Sequence, residues 1–240
     1  MKEFYSKIKN ILFIDVETVS LTSSYKELDD RLKPLWDKKS SYMNSDESSA
    51  ELYFQKAGIY AEFGKIITIA AGFFYLNEKS ELTFKVKSFA SKDEKEVLTE
   101  FKNLIETKYK NKKLILCAHN GKEFDYPYIC RRMLINNMII PKQINLSGKK
   151  SWEVDHLDTL EMWKFGDRKN FTSLELLASI FGIPSSKDGL DGSLVNNAFY
   201  KEDSLEKIAR YCENDVLVTA QVFLKLNNQD IIPPERIIML

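Results

Sequence analysis

Four acidic residues stand at positions where their chemistry can be shared. Asp15 and Glu17 lie two apart in Ile11-Leu12-Phe13-Ile14-Asp15-Val16-Glu17-Thr18. Asp125 closes His119-Asn120-Gly121-Lys122-Glu123-Phe124-Asp125, and Asp215 closes Tyr211-Cys212-Glu213-Asn214-Asp215. Residues two apart on a strand project to one face, so Asp15 and Glu17 present both carboxylates together. Two carboxylates at the end of a buried strand are costly unless a cation compensates them. Oxygen donors of this kind suit hard divalent cations, magnesium or manganese, which keep waters for a substrate. Tyr211 and Asp215, four apart, share one face of a helix.

Taken singly, each signal has a structural reading. Asp15 reads as a turn cap at a strand end, Asp125 as a helix N-cap before Pro127, and Tyr211 as a half-buried residue of an amphipathic helix. Their joint occurrence, in order and at the ends of patterned elements, carries the metal-site reading.

The elements that must position them are legible. Ile11–Val16 is a short continuous apolar run, as in a strand buried on both faces. Lys65–Leu76 reads as a long strand, Asn77–Ser80 as a turn, and Leu82, Phe84 and Val86 as alternate residues of a strand pairing back. Ser91 with Glu94 reads as a capping box, followed by a helix through Val97, Leu98, Phe101, Leu104 and Ile105. Leu114–Ala118 is another buried strand, delivering His119 and Asn120 to its end. Pro127 suits the first turn of a helix, with Ile129, Met133 and Leu134 inward and Arg131 and Arg132 in solvent. Val154–Leu157 reads as a short fifth strand, and Asp158 with Glu161 as a structural capping box. Thr172 with Glu175 opens a helix that Gly182 closes, and Asp203 with Glu206 opens the last helix, through Ile208, Tyr211, Asp215, Val218 and Val222. Residues 20–56 form a polar, partly helical insertion with a loose centre near Ser40–Ser49. The expected fold is an α/β mixed sheet flanked by helices, in one domain of residues 1–240 with its core at about 8–226.

Composition narrows the function classes. The 240 residues include 35 Lys plus Arg and 35 Asp plus Glu, for a net charge of zero. A chain that grips long duplexes through phosphates is usually basic; any nucleic acid here meets a local patch or a strand end. Arg131, Arg132, Lys149, Lys150, Arg168 and Lys169 are candidates for phosphate contact or simply a solvated face. Cys117, Cys130 and Cys212 form no metal-ligand spacing, which suits reduced thiols in the cytoplasm. No signal peptide and no membrane span are expected.

The three motifs together resemble a DnaQ-like (DEDD) 3′-5′ exonuclease of the ribonuclease H-like fold. Within it, the chain is similar to stand-alone proteins related to the exonuclease domain of family-B DNA polymerases. Asp188-Gly189-Leu190-Asp191-Gly192-Ser193 also fits that subgroup. The resemblance spans about Ile11 to Leu226. One branch of the family carries histidine five residues before the last aspartate; that position is Arg210 here, whereas the tyrosine of the other branch is matched by Tyr211. The resemblance implies two divalent metal ions held by Asp15, Glu17, Asp125 and Asp215, one activating water and the other steadying the leaving 3′ oxygen. It implies that Tyr211, with an ordinary pKa of about 10, orients that water. Thr18, Asn120 and Phe124 are candidates for contact with the terminal nucleotide, against roles in local bonding or core. The implied partner is a nucleic-acid 3′ end, DNA favoured over RNA by family analogy, with no membrane. Three alternatives stand beside this one. They are an exoribonuclease, a catalytically silent nucleic-acid-binding module, and an aspartate-nucleophile phosphatase, which would want aspartate at Glu17. Too little chain follows the last motif for a polymerase palm and fingers, so proofreading by the same chain is not expected.

Overall fold

Strand β1 (Ile11–Ser20) is apolar on both faces and is covered on both. The computed structural model describes residues 2–43, 45–167, 171–184 and 192–240. In it β1 lies between β2 (Gly64–Leu76), antiparallel to it, and β4 (Ile115–Ala118), parallel to it. The hairpin partner β3 (Leu82–Ala90) extends the sheet on one side, β5 (Leu157–Asp158) on the other, and β6 (Ile237–Met239) pairs parallel with β3. The result is a six-stranded mixed sheet of order β5-β4-β1-β2-β3-β6, flanked by helices.

The two-residue period of β1 assigns its side chains to two cores. Leu12, Ile14 and Val16 face α4 (Glu94–Lys108) and α5 (Asp125–Ile135), meeting Val97, Leu98, Phe101, Ile129 and Met133. Ile11 and Phe13 face α9 (Leu205–Leu226), where Cys212, Val216, Ala220 and Phe223 form a stripe. Phe13 lies edge-on to Phe74 and Phe223, with ring centroids 5.2 and 5.3 Å apart, arrangements that add about 0.5–1.5 kcal/mol each beyond area burial. The insertion folds as α2 (Lys33–Ser40) and α3 (Ser49–Lys56) around Leu28, Trp36, Tyr53 and Phe63. Asn196, in α8 (Val195–Tyr200), ties the insertion to β1. It accepts a hydrogen bond from the Ser20 amide and donates one to Phe54 O.

Several local expectations fail, each for a stated reason. Arg132 is buried and Leu134 exposed, the reverse of the reading above. Helix periodicity alone puts Arg132 in solvent, and what buries it is Glu94, a partner in another element. Glu94 is itself no capping residue: Asp93 caps α4, and Glu94 receives Arg132 Nε at 2.8 Å and the Ile66 amide at 2.7 Å. Arg132 Nη1 also donates to Ala61 O, so the pair ties β2, α4 and α5 together. The helix after residue 171, α7 (Leu174–Ile180), starts one residue later than read, with Ser173 as its N-cap. Ser204, not Asp203, precedes α9; Asp203 has a left-handed φ of 50° and pairs with Lys92. The fifth strand is reduced to Leu157–Asp158, because Asp158 is immediately the cap of α6 (Thr159–Lys164). Arg168, Lys169 and Asp188 to Asp191 lie outside the described residues.

Removing one member of a buried ion pair strands the other. Arg132→Ala should therefore cost about 3–5 kcal/mol in urea denaturation. A cost like that of an exposed pair, under ~1 kcal/mol, would show that the pair does not hold these elements together.

Candidate active site

The middle of β1 carries the first two acids toward α9. Asp15 stands opposite Ala70 and Glu17 opposite Thr68, and the register slips between Glu17 and Thr18. Bulges of this kind bend a strand and re-aim side chains. Across from them, the Cys212 thiol donates to Asp15 Oδ2 at 3.2 Å. Donor atoms of Asp15, Glu17 and Cys212 all lie within 4.8 Å of one another.

Asp125 comes from the start of α5 on the other side of the strand end. Its carboxylate accepts backbone hydrogen bonds from Val16 and from its own amide, which fixes it against β1. The turn leading to it is shaped by a second carboxylate. Buried Asp158 accepts from the Asn120 and Lys122 amides at 3.0 and 3.1 Å, and from the Leu160 and Glu161 amides of α6. Asn120 adopts a left-handed φ of 62° there. A Cβ on Gly121 would meet Ala118 Cβ at 2.5 Å and the Tyr126 ring at 2.8 Å, so this position requires glycine. Capping by Asp158 was legible in the sequence. Its hold on the Asn120 turn was not, since those residues are far apart along the chain.

The four acids sense one another electrostatically. Burial raises the Asp15 carboxyl well above its ordinary range, and Glu17, Asp215 and Asp125 raise it further. Burial, then Asp215 and Asp125, do the same for Glu17. Asp125 is pushed up to about 7, mainly by burial, with Asp158 and Asp215 adding to the effect. Tyr211 is raised by burial, by the charges of Asp215, Glu17 and Asp15, and by a hydrogen bond with Asp215. Asp15, Glu17, Asp125, Asp215 and Tyr211 therefore share one neighbourhood built from β1, α5 and α9.

The other candidates are placed less directly. The Thr18 hydroxyl donates to Gly58 O at 2.8 Å, as does Tyr128. Phe124 is half-buried, packs on the core and tilts against Tyr128. Asn120 uses its backbone amide on Asp158. Cys212 is the residue that sequence reasoning passed over. Its spacing of three from Asp215 puts the two on one helix face, and that signal was available.

Among the described residues, none of the ion pairs involves Asp15, Glu17 or Asp125. Three buried or half-buried carboxylates without a protein cation, beside Asp215, form a donor set that fits hard divalent cations. Cys212 adds a thiol at its edge.

Residues 59–230 match the family described as "Predicted 3'-5' exonuclease related to the exonuclease domain of PolB". That span includes Asp125, Tyr211 and Asp215, while Asp15 and Glu17 precede it. No relative matches among curated proteins. The fold resembles the structure of the family B DNA polymerase from the hyperthermophilic archaeon Pyrobaculum calidifontis, with a TM-score of 0.55 and 14% identity. The likeness covers 90% of this chain and 24% of the polymerase, so this chain spans about a quarter of that one. No helix among the described residues is long and apolar enough to cross a membrane.

The raised carboxyl pKa of Asp125 has a stability consequence in metal-free protein. Its ordinary value is about 3.9, so between about pH 4 and about pH 7 the folded state binds the proton that the unfolded state has released. Stability therefore falls as pH rises through that window. Asp125→Asn, which keeps an acceptor for the Val16 amide, should melt above wild type at pH 8 in EDTA, by on the order of 1 kcal/mol or more. The gap should narrow at pH 5, and a pH-independent gap would contradict the burial argument. The match covers most of the sequence and spans two of the three elements that build the cluster: the chain belongs to this family of predicted 3′-5′ exonucleases related to the exonuclease domain of PolB, and is an enzyme of that class.

Proposed function

We propose that the chain is a divalent-metal-dependent 3′-5′ exonuclease of the tyrosine subclass, hydrolysing terminal phosphodiester bonds at DNA 3′ ends. The observation that carries the reading is the electrostatic coupling of Asp15, Glu17, Asp125 and Asp215 across three elements. When bound, the two ions supply an activated water and neutralise charge that builds on the phosphate and the leaving 3′ oxygen. Asp15, Glu17, Asp125 and Asp215 would hold them. Tyr211 keeps its proton at neutral pH, since its pKa is raised. It is thus no base, and its hydroxyl, already held by Asp215, orients the attacking water. Asn120, on the turn beside Asp125, and Thr18 and Phe124 border the terminal nucleotide. DNA is favoured over RNA because the family is related to a DNA polymerase's exonuclease domain. An exoribonuclease and a catalytically silent binding module are the alternatives, and the silent module is disfavoured by the full set of acids and Tyr211. We further assign the protein to the cytoplasm and residues 1–240 to one exonuclease domain.

Asp15→Ala should abolish release of mononucleotides from end-labelled single-stranded DNA while leaving the fold intact. Wild-type rates in that variant, with contaminating nuclease excluded, would overturn the metal-site reading. Circular single strands, having no 3′ end, should survive, and their efficient cleavage would exclude an exonuclease. RNA ladders run alongside decide the exoribonuclease alternative.

Tyr211→Phe separates the water-orienting role from packing. It should lower kcat by on the order of 10²-fold or more, with manganese affinity by calorimetry close to wild type and the melting temperature little changed. Asp215→Asn should weaken metal binding and activity together. Full activity of Tyr211→Phe in magnesium and in manganese would make the tyrosine structural.

A further inference from the structure

Residues of β2, β3 and the C-terminal end of α4 surround one hollow on the protein surface. A groove of about 380 Å³ opens there. Five lysines line it: Lys9, Lys85, Lys87, Lys108 and Lys112. No acidic side chain lines it, although the chain as a whole carries as many acids as bases. None of the five lysines forms an ion pair among the described residues. The floor is aromatic. Phe73 and Tyr75, two apart on β2, project to the same face with centroids 6.2 Å apart, and Phe73 is 40% exposed. Lys85 stands directly opposite Phe73, and Lys87 opposite Ala71.

Lysines outside any ion pair, Lys87 among them with its ammonium 4.2 Å over the Phe89 ring, around an exposed Phe73 and a half-buried Tyr75 match what a single strand offers: phosphates for the ammonium groups and base faces for the rings. The groove is not the carboxylate cluster. Leu12, which lines it, precedes Asp15 by three residues on β1, a rise of about 10 Å, and points to the opposite face. An apolar small ligand would not explain the five lysines, nor would a bare polyanion explain the exposed aromatic floor.

We infer that this groove is a second nucleic-acid site, which binds a single-stranded segment remote from the 3′ end in the catalytic cluster. The inference rests on the proposed function only in taking nucleic acid as the substrate. Phe73 and Tyr75 stack on bases while Lys85 and Lys87 meet the backbone. The site adds affinity for longer strands without touching the reacting bond.

Binding is measured on the full-length Asp15→Asn protein in EDTA, by fluorescence anisotropy with labelled oligothymidylate, so that turnover is not needed. Lys85→Gln/Lys87→Gln should weaken binding by about tenfold or more and reduce the slope of log K against log salt by about 1.4, two contacts at about 0.7 each. Phe73→Ala should weaken binding by on the order of tenfold with the slope unchanged. Lys38→Gln/Lys39→Gln, on α2, controls for general charge and should bind as the parent does. In otherwise wild-type protein the groove variants should raise KM for long strands, leaving kcat and turnover of a dinucleotide unchanged. Melting temperatures within a few degrees of the parent show that the variants are folded, and Lys85→Gln alone offers a milder change if the pair is not. Parental affinity and salt slope in the lysine variants would overturn the inference and leave the nuclease reading standing. Binding lost equally in the α2 control, or insensitive to Phe73→Ala, would also overturn it. Absence of turnover with groove-dependent binding intact would instead remove the nuclease reading and keep the groove.

Discussion

Four carboxyl groups that converge where burial disfavours their charge repel one another, and the rest of the architecture has to hold them in place. The repulsion is visible in the upward shifts of Asp15, Glu17 and Asp125. It is opposed by packing that lies just outside the site. Phe13, two residues before Asp15, is clasped by Phe74, Phe84 and Phe223, so the strand bearing the acids is anchored to α9. Large-to-small truncation of such an aromatic costs about 3–5 kcal/mol, enough to offset a substantial part of the carboxylate repulsion.

Local hydrogen bonds then set direction where packing sets position. Backbone N–H groups aim Asp125 and Asp158, and the Cys212 thiol aims Asp15. For Asp15 and Asp125 these bonds favour the ionised form, whereas burial favours the neutral one. The balance leaves Asp125 near 7. A carboxyl poised there is released from its proton readily when a cation arrives, so the same geometry that is strained when empty of charge compensation is suited to receiving it.

The sheet and the acid positions were legible because both obey short periods. Asp15 and Glu17 follow the strand's period of two, and Tyr211 with Asp215 the helix's spacing of four. Apolar runs gave β2 and β4 to within a residue, whereas β1 runs on to Ser20, four residues past the apolar run, because Glu17, Thr18 and Ser20 interrupt the pattern while the strand still pairs with β2. What escaped depends on partners distant in sequence. Arg132 looks like a solvated helix residue until Glu94, 38 positions away, is brought against it. Asp158 looks like a simple cap until the Asn120 turn folds onto it. Capping boxes misled at Ser91, Thr172 and Asp203 by one or two residues, because serine, threonine and aspartate cluster at each boundary and any of them satisfies the pattern. The short edge strand β6 and helix α1 (Lys2–Ile8) carry too few residues to show a period.

A net charge of zero argued against a nucleic-acid grip along the whole surface, yet charge balance over a chain says nothing about its distribution. Here Asp15 and Glu17 meet Asp215 on the α9 face of β1 and are joined by Asp125 from the start of α5, while lysines outside any ion pair gather around the β2–β3 hairpin on the face opposite Asp15. The separation has a physical logic. Lysines adjacent to the carboxylates would form ion pairs with them, lowering their demand for divalent cations and occupying the phosphate's place. With the sheet between them, each group keeps its charge for something that arrives from solution. The strand β1 contributes to both, through Asp15 and Glu17 on one face and Leu12 on the other, so the sheet that carries the core also keeps the opposite charges apart.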